Sequence, residues 1–258
     1  MDQLATSLYR TRYEAGRPDL CRGRAEALLD GLLPVLVPAL GNHCFDSARN
    51  LQKALSKLAD QSADLMARGG LIKGKTLART IAERWFASFT QVERQLDLDA
   101  AFIAAGDPAA YSVDEVMAAY PGFYAIAVYR VAHELAELNV KLLPRLFCEI
   151  AHGRTGIDIH PEALIGAPFF IDHGTGLVIG ATTRIGKRVK LYQGVTLGAL
   201  AVRKGDAGKK RHPTIEDDCV IYANTTILGG ETVIGRGSVI GGNVWLTASV
   251  EPKSKISK

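Results

Sequence analysis

The sequence predicts an α+β protein, an all-α region followed by a parallel β-helix, and two observations carry that prediction. From Ile159 to Val250 an aliphatic residue falls at nearly every sixth position, often followed by Gly. Earlier in the chain, apolar residues recur at three- and four-residue spacing instead. The second pattern is that of helices with one buried face, while the first fits neither the 3.6 period of a helix nor the period of two of a half-buried strand.

In the N-terminal part, Phe45 to Ala67 and Thr76 to Leu96 set apolar residues among Lys, Glu, Gln and Arg at helical spacing. Ser112 and Glu115 form a capping-box pattern, so a helix is expected to start there. Pro121 and Gly122 then punctuate the chain, and Phe123 to Leu138 resumes a helical pattern with Tyr124, Val128, Val131 and Leu135 on one face. Another short helix is expected from Leu142 to Ala151. Gly153 to Gly156 marks the change of period, which sets a boundary between a helical domain at 1–155 and a β-helix domain at 156–258. A helical cap on the first coil would also cover a strand edge otherwise open to aggregation.

The ladder runs through the Ile or Leu at positions 159, 165, 171, 179, 185, 191, 197, 215, 221, 227, 234, 240 and 246. Such short repeats cannot bury an apolar face alone, so each coil stacks on the next around a continuous interior. Small or branched residues four positions later, among them Ala163, Thr183, Val195, Cys219, Thr225 and Val244, supply a second inward position per hexad. Gly after the aliphatic suits a corner whose backbone adopts conformations that a Cβ forbids. The ladder breaks in three places. An extra pair of residues between Ile171 and Ile179 makes a bulge at Asp172 to Gly176, and one extra residue makes a smaller slip near Gly229. Between Leu197 and Ile215 the positions due to be aliphatic are Arg203 and Lys209, so about 199–213 leaves the wall as a basic loop. Irregular segments on a rigid scaffold are where function concentrates.

Composition narrows the function classes. The chain has 258 residues, 47% of them hydrophobic and 22% charged, which describes an ordinary globular protein. A net charge of +4, concentrated in one loop, does not argue for nucleic acid. No apolar run reaches the ~18 residues of a membrane helix. The start lacks a basic-then-apolar signal, and Cys21, Cys44, Cys148 and Cys219 show no paired spacing, so a cytoplasmic protein with reduced thiols is expected. His43, His133 and His152 lie in helical sequence and read as packing residues, and His160 before Pro161 as a structural one. The spacings of His160, His173 and His212 match no metal-ligand pair, so no metal is expected.

The polar groups that interrupt the aliphatic wall are Asp158-Ile-His160-Pro161, Asp172-His173-Gly-Thr-Gly176 and Arg211-His212-Pro213, with Gln193 to Gly198 between them. Together with Asp107-Pro108 and the stretch Tyr120 to Arg130, they resemble the serine O-acetyltransferase family of hexapeptide-repeat acyltransferases, densely over about residues 105–250. The resemblance implies a left-handed β-helix, against the usual right-handed crossover preference. It also implies acetyl transfer from acetyl-CoA to the hydroxyl of L-serine, giving O-acetyl-L-serine and CoA on the route to cysteine. The alternatives are another hydroxyl or amine acceptor on the same chemistry, and a catalytically silent scaffold.

Attack of a hydroxyl on a thioester needs a base near neutral pKa, and His173 is the candidate. Asp158, about one coil earlier, matches the family residue that orients this imidazole. The acceptor's own hydroxyl is the nucleophile. Asp107 and Asp172 match positions that hold the ammonium of an amino acid, Arg211 offers a bidentate fork to its carboxylate, and His212 adds a hydrogen bond. No permanent cofactor is expected. For acetyl-CoA as co-substrate, Gly198, Ala199, Ala223 and Gly242 match small residues lining a groove between neighbouring β-helices of a homotrimer, and Lys204, with Lys209 and Lys210, is a candidate for the phosphates, the alternative being a solvated basic loop. Family trimers often pair through the helical domains. Family chains also often end in a tail with a terminal Ile that docks into the sulfhydrylase of cysteine synthesis; here Ile256 is followed by Ser257 and Lys258, so that complex is not expected.

Overall fold

The computed structural model describes residues 1–14, 22–41, 45–200 and 209–257. Eight α-helices precede the strands among the described residues: α1 (Asp2–Leu8), α2 (Arg22–Leu36), α3 (Ala48–Arg68), α4 (Lys75–Ala87), α5 (Phe89–Gly106), α6 (Val113–Ala119), α7 (Pro121–Glu137) and α8 (Leu143–Thr155). The expected helix from Thr76 to Leu96 is two helices. Ser88 turns its hydroxyl back onto the Trp85 carbonyl at 2.8 Å, an alternative partner that ends α4, and α5 restarts one residue later. Pro121 punctuates the chain as expected, between α6 and α7, but it does so from inside α7, at the first helical position, where its missing N–H costs nothing. At α6 the Ser112 oxygen accepts from Glu115 N as expected, while the Glu115 carboxylate reaches Tyr111 N rather than the capping residue itself.

Helix α8 ends at Thr155 with Gly156 in the left-handed region (φ 72°), and the first strand follows at Asp158. Short parallel strands then build three flat faces. The first face stacks β1 (Asp158–Ile159), β4 (Val178–Ile179), β7 (Thr196–Gly198), β10 (Thr226–Leu228) and β13 (Trp245–Leu246). The second stacks β2 (Leu164–Ile165), β5 (Arg184–Ile185), β8 (Thr214–Ile215) and β11 (Val233–Ile234). The third stacks β3 (Phe169–Ile171), β6 (Val189–Leu191), β9 (Val220–Ile221), β12 (Val239–Ile240) and β14 (Lys255–Ile256). The ladder of hexads is the register itself: Ile159 lies on Ile179, Leu197, Ile227 and Leu246, and Ile171 on Leu191, Ile221 and Ile240. The second inward positions are filled as the pattern requires, with Ala163, Thr183, Val195, Cys219 and Thr225 all 0% exposed. Their hydroxyls are satisfied within the stack in part; Thr225 donates to the Gly241 carbonyl at 2.7 Å.

Two expectations change. Glycines that follow the ladder aliphatics, such as Gly180, Gly186 and Gly235, do not carry positive φ; that conformation falls instead on Arg188, Asp218, Asn224, Asn243 and Lys253. The reason for Gly is close approach, since a Cβ at Gly186 would press on Asp217 and one at Gly235 on Pro252. Ile256 also belongs to the wall, stacked on Ile240, although Pro252 and Lys253 hide it from a six-residue count.

The helices cap the first coil with specific bonds. Asp99 and Arg130 form a bidentate pair, both side chains 3% exposed or less. Asp99 accepts from Phe169 N at 2.7 Å, while Arg130 donates to the carbonyls of Ile165 and Gly166. Tyr129 donates to the Ala163 carbonyl and accepts from Ile165 N, and His133 lies 2.7 Å from the Pro161 carbonyl, so it does more than pack. A pair of this kind adds little over apolar packing, but breaking it costs about 3–5 kcal/mol by leaving a charge alone. It therefore fixes where α5 and α7 sit on the β-helix more than how tightly they are held. One continuous apolar core runs through both parts.

Candidate active site

The predicted site residues fall at the two edges of the first face. Where the third face turns into the first, the bulge carries Asp172 and His173. His173 has a left-handed backbone (φ 56°), a conformation that non-Gly residues adopt at a cost and that concentrates at functional sites. Its side chain is 72% exposed, with Nε2 3.7 Å from Asp172 Oδ1. Helices add to this edge. Asp107, just past α5, accepts from the Tyr120 hydroxyl at 2.7 Å and from Ala109 N at 2.8 Å. The phenol bond, then the amide bond, hold the Asp107 carboxyl below its usual range, and the charges of His173 and Lys190 act the same way. Burial, then the charges of Asp172, Tyr222 and Asp107, raise the Tyr192 phenol, whose ring stacks on Tyr222 with centroids 4.9 Å apart.

Where the first face turns into the second, Arg211 and His212 end the excursion loop. His212 is only 7% exposed. Its Nδ1 accepts from Thr182 N at 3.1 Å, and the Thr182 hydroxyl in turn accepts from the backbone N–H groups of Arg211 and His212. A ring that accepts at Nδ1 is neutral with its proton on Nε2. Burial first, then the charges of Arg211, Lys210 and His160, lower its pKa to about 4. A Cβ at Gly180 would fall inside the His212 ring, so only glycine admits the imidazole here. His160 sits at the same turn, with Nδ1 accepting from Glu162 N and its pKa lowered by burial.

Asp158 begins the first face near the His173 edge. In the single chain its Oδ1 accepts from Arg145 at 3.1 Å, and Arg145 also pairs with Glu149, so the carboxylate is engaged by α8. Glu149, His152 and Asp158 approach within 4.8 Å, the one group among the described residues with the spacing of a metal site. The Arg145 guanidinium already supplies the positive charge there. Gly198 and Ala199 lie at the His212 edge, while Ala223 and Gly242 lie on successive coils at the His173 edge, where Asn243 N donates to the Ala223 carbonyl. Lys204 falls outside the described residues, as does His43. Sequence reasoning did not single out Lys190 or Arg145, and took Tyr120 only as the start of a motif; their bonds to Gly106, Asp158 and Asp107 join separate elements. A depression of about 570 Å³ on the second face, between His133, Arg184 and Arg236, holds none of the predicted site residues.

Stacked hexads in three parallel faces and a bulged imidazole define a left-handed parallel β-helix protein of the hexapeptide-repeat class. No family model matches the chain. A plasmid-borne serine acetyltransferase of Synechococcus elongatus is 50% identical over 186 residues, covering 70% of this chain and 58% of that protein. The chain spans about three fifths of the length of the first such curated relatives. The crystal structure of Entamoeba histolytica serine acetyltransferase 1 in complex with L-cysteine matches with a TM-score of 0.80 and 30% identity, over 99% of this chain and 97% of that one. Serine acetyltransferase of Brucella abortus in complex with coenzyme A matches with a TM-score of 0.62 and 25% identity, over 97% and 83%. The chain belongs to the serine acetyltransferase family.

Proposed function

We propose that the protein transfers the acetyl group of acetyl-CoA to the hydroxyl of L-serine, giving O-acetyl-L-serine and CoA for cysteine synthesis. The observation that carries this reading is the division of charge between the two edges of the first face. Acids and an exposed imidazole lie at one edge, a guanidinium and a neutral imidazole donor at the other. An amino acid carries its ammonium and carboxylate on one carbon, so both edges must converge on it. A three-residue strand separates them by roughly 10 Å, too far for one chain to hold both ends. The site closes when the His173 edge of one copy meets the His212 edge of the next, as a cyclic trimer allows. The small residues proposed for the pantetheine arm divide in the same way, Ala223 and Gly242 at one edge and Gly198 and Ala199 at the other. Lys204 is proposed for the phosphates.

In this arrangement His173 takes the hydroxyl proton as the serine oxygen attacks the thioester carbon, and returns it to the departing thiolate of CoA. Asp158 orients the imidazole once released from Arg145, and Asp107 with Asp172 seats the ammonium. Arg211 and the Nε2 proton of His212 receive the carboxylate. The related structures with L-cysteine and with coenzyme A support both ligand classes. The cytoplasm suits this chemistry, and Cys148 and Cys219 are buried free thiols. Among the described residues no helix is long and apolar enough to cross a membrane.

A thiol-release assay with a panel of acceptors tests the assignment; serine turned over no faster than unrelated alcohols would defeat it. Co-assembly of His173→Ala chains with Arg211→Ala chains tests the shared site. Random mixing leaves about a quarter of sites intact at both edges, so activity returns to about that fraction. Mixtures that stay inactive place the whole site within one chain.

A further inference from the structure

Asp107 is the one acidic site residue that reaches the β-helix from the helical part, and within its own turn the Ala109 amide holds only one of its two carboxylate oxygens. We propose that Tyr120 and Lys190 are positioning residues for Asp107, holding its carboxylate at the His173 edge as a preorganised seat for the ammonium of the acceptor. This rests on the serine reading above.

The geometry locks the carboxylate from two sides and its turn from a third. Tyr120 donates to Oδ2 at 2.7 Å and Ala109 N to Oδ1 at 2.8 Å. One lone pair on each oxygen is thereby used, and the others remain for a cation. Lys190, on β6, crosses to α5, donating to the Gly106 carbonyl at 2.6 Å with its ammonium 4.3 Å from the centre of the Phe170 ring. The residue before Asp107 is thus tied to the strand that stacks directly on β3. Tyr120 is registered to the same strand end. Two residues later, Gly122 lies so close to the Ile171 carbonyl that any Cβ would collide with it, and Ile171 is the residue before Asp172. The first turn of α7 therefore brings the phenol and β3 brings Asp172 to one place. The hydrogen bond to Asp107 pushes the Tyr120 phenol up to about 12, so it remains a donor at any working pH.

Steady-state kinetics on the full chain, with thermal unfolding as a control, decide the matter. Tyr120→Phe should raise KM for serine by ~10-fold, as expected when a hydrogen bond to a charged group is lost, with KM for acetyl-CoA and the unfolding midpoint unchanged. In an Asp107→Asn background the same change should add nothing. Lys190→Met keeps the stem over Phe170 and should raise KM for serine by ~3-fold; it provides the second measurement should the phenol prove needed for folding. A serine KM unaltered in both variants, or effects of Tyr120→Phe and Asp107→Asn that multiply, overturns the proposal while leaving serine as the substrate. A wild-type chain without serine-dependent thiol release removes the serine reading and the role of Tyr120 with it.

Discussion

The two imidazoles at opposite edges of the first face show how one β-helix can make the same side chain serve two ends. His173 stands in a bulge with its ring 72% exposed and its backbone in the left-handed region. His212 lies buried on Gly180, its Nδ1 occupied by the Thr182 amide. An exposed ring can take and release protons. A buried ring surrounded by cationic groups stays neutral and offers a fixed N–H. On the proposed roles, proton transfer and carboxylate recognition separate by environment, not by residue type.

Substitutions at the two edges should have different signatures. His173→Ala removes the proposed base, and acetyl transfer should fall by ~10²-fold or more, with the unfolding midpoint close to wild type because the side chain is 72% exposed. A His173→Ala enzyme that retains most of its kcat would end the contrast. Gly180→Ala is expected to be the next largest. The added methyl displaces the His212 ring, an overpacking cost of about 1–3 kcal/mol, and KM for serine should rise by ~10-fold with little change in KM for acetyl-CoA. Unfolding and serine kinetics both unaltered in Gly180→Ala would mean that the ring is not seated where the contrast requires.

Much of this was legible in the sequence. The ladder from Ile159 to Leu246 survives as the strand register because each ladder residue stacks directly on its counterpart in the next coil. The bulge at Asp172 and the loop before Arg211 were visible as failures of that count. What the sequence could not show depends on particular bonds, one local and the others across chain distance. The Ser88 break inside an otherwise continuous helical pattern comes from a local hydroxyl bond, and Ile256 is drawn into the wall by Ile240 after ten residues without a hexad. The role of Gly180 was misread for a related reason: a glycine required by a ring 32 positions later looks like one required by its own backbone. The division of the site between two edges is a property of the coil geometry that no motif spells out.

The pH dependence of stability sharpens the contrast further. His212 is held neutral, with a folded pKa of about 4 against 6.5 for an unperturbed imidazole. Between those values the unfolded chain binds a proton at this residue that the folded chain refuses, so stability rises with pH across the window and is lost as pH falls from 6.5 toward 4. His160, lowered by burial, acts in the same direction. The carboxylates of Asp107, Glu149 and Asp218, all lowered in the folded state, add losses that begin from their unfolded pKa values and continue below them. His212→Asn keeps an acceptor for the Thr182 amide and removes the titration. Thermal unfolding of wild type and His212→Asn, measured from pH 7 to 4.5, should give midpoints that fall more steeply for wild type, the difference growing as pH drops below 6.5. Equal slopes for wild type and His212→Asn would mean that His212 accepts its proton in the folded state, and exposure alone would then distinguish the two edges.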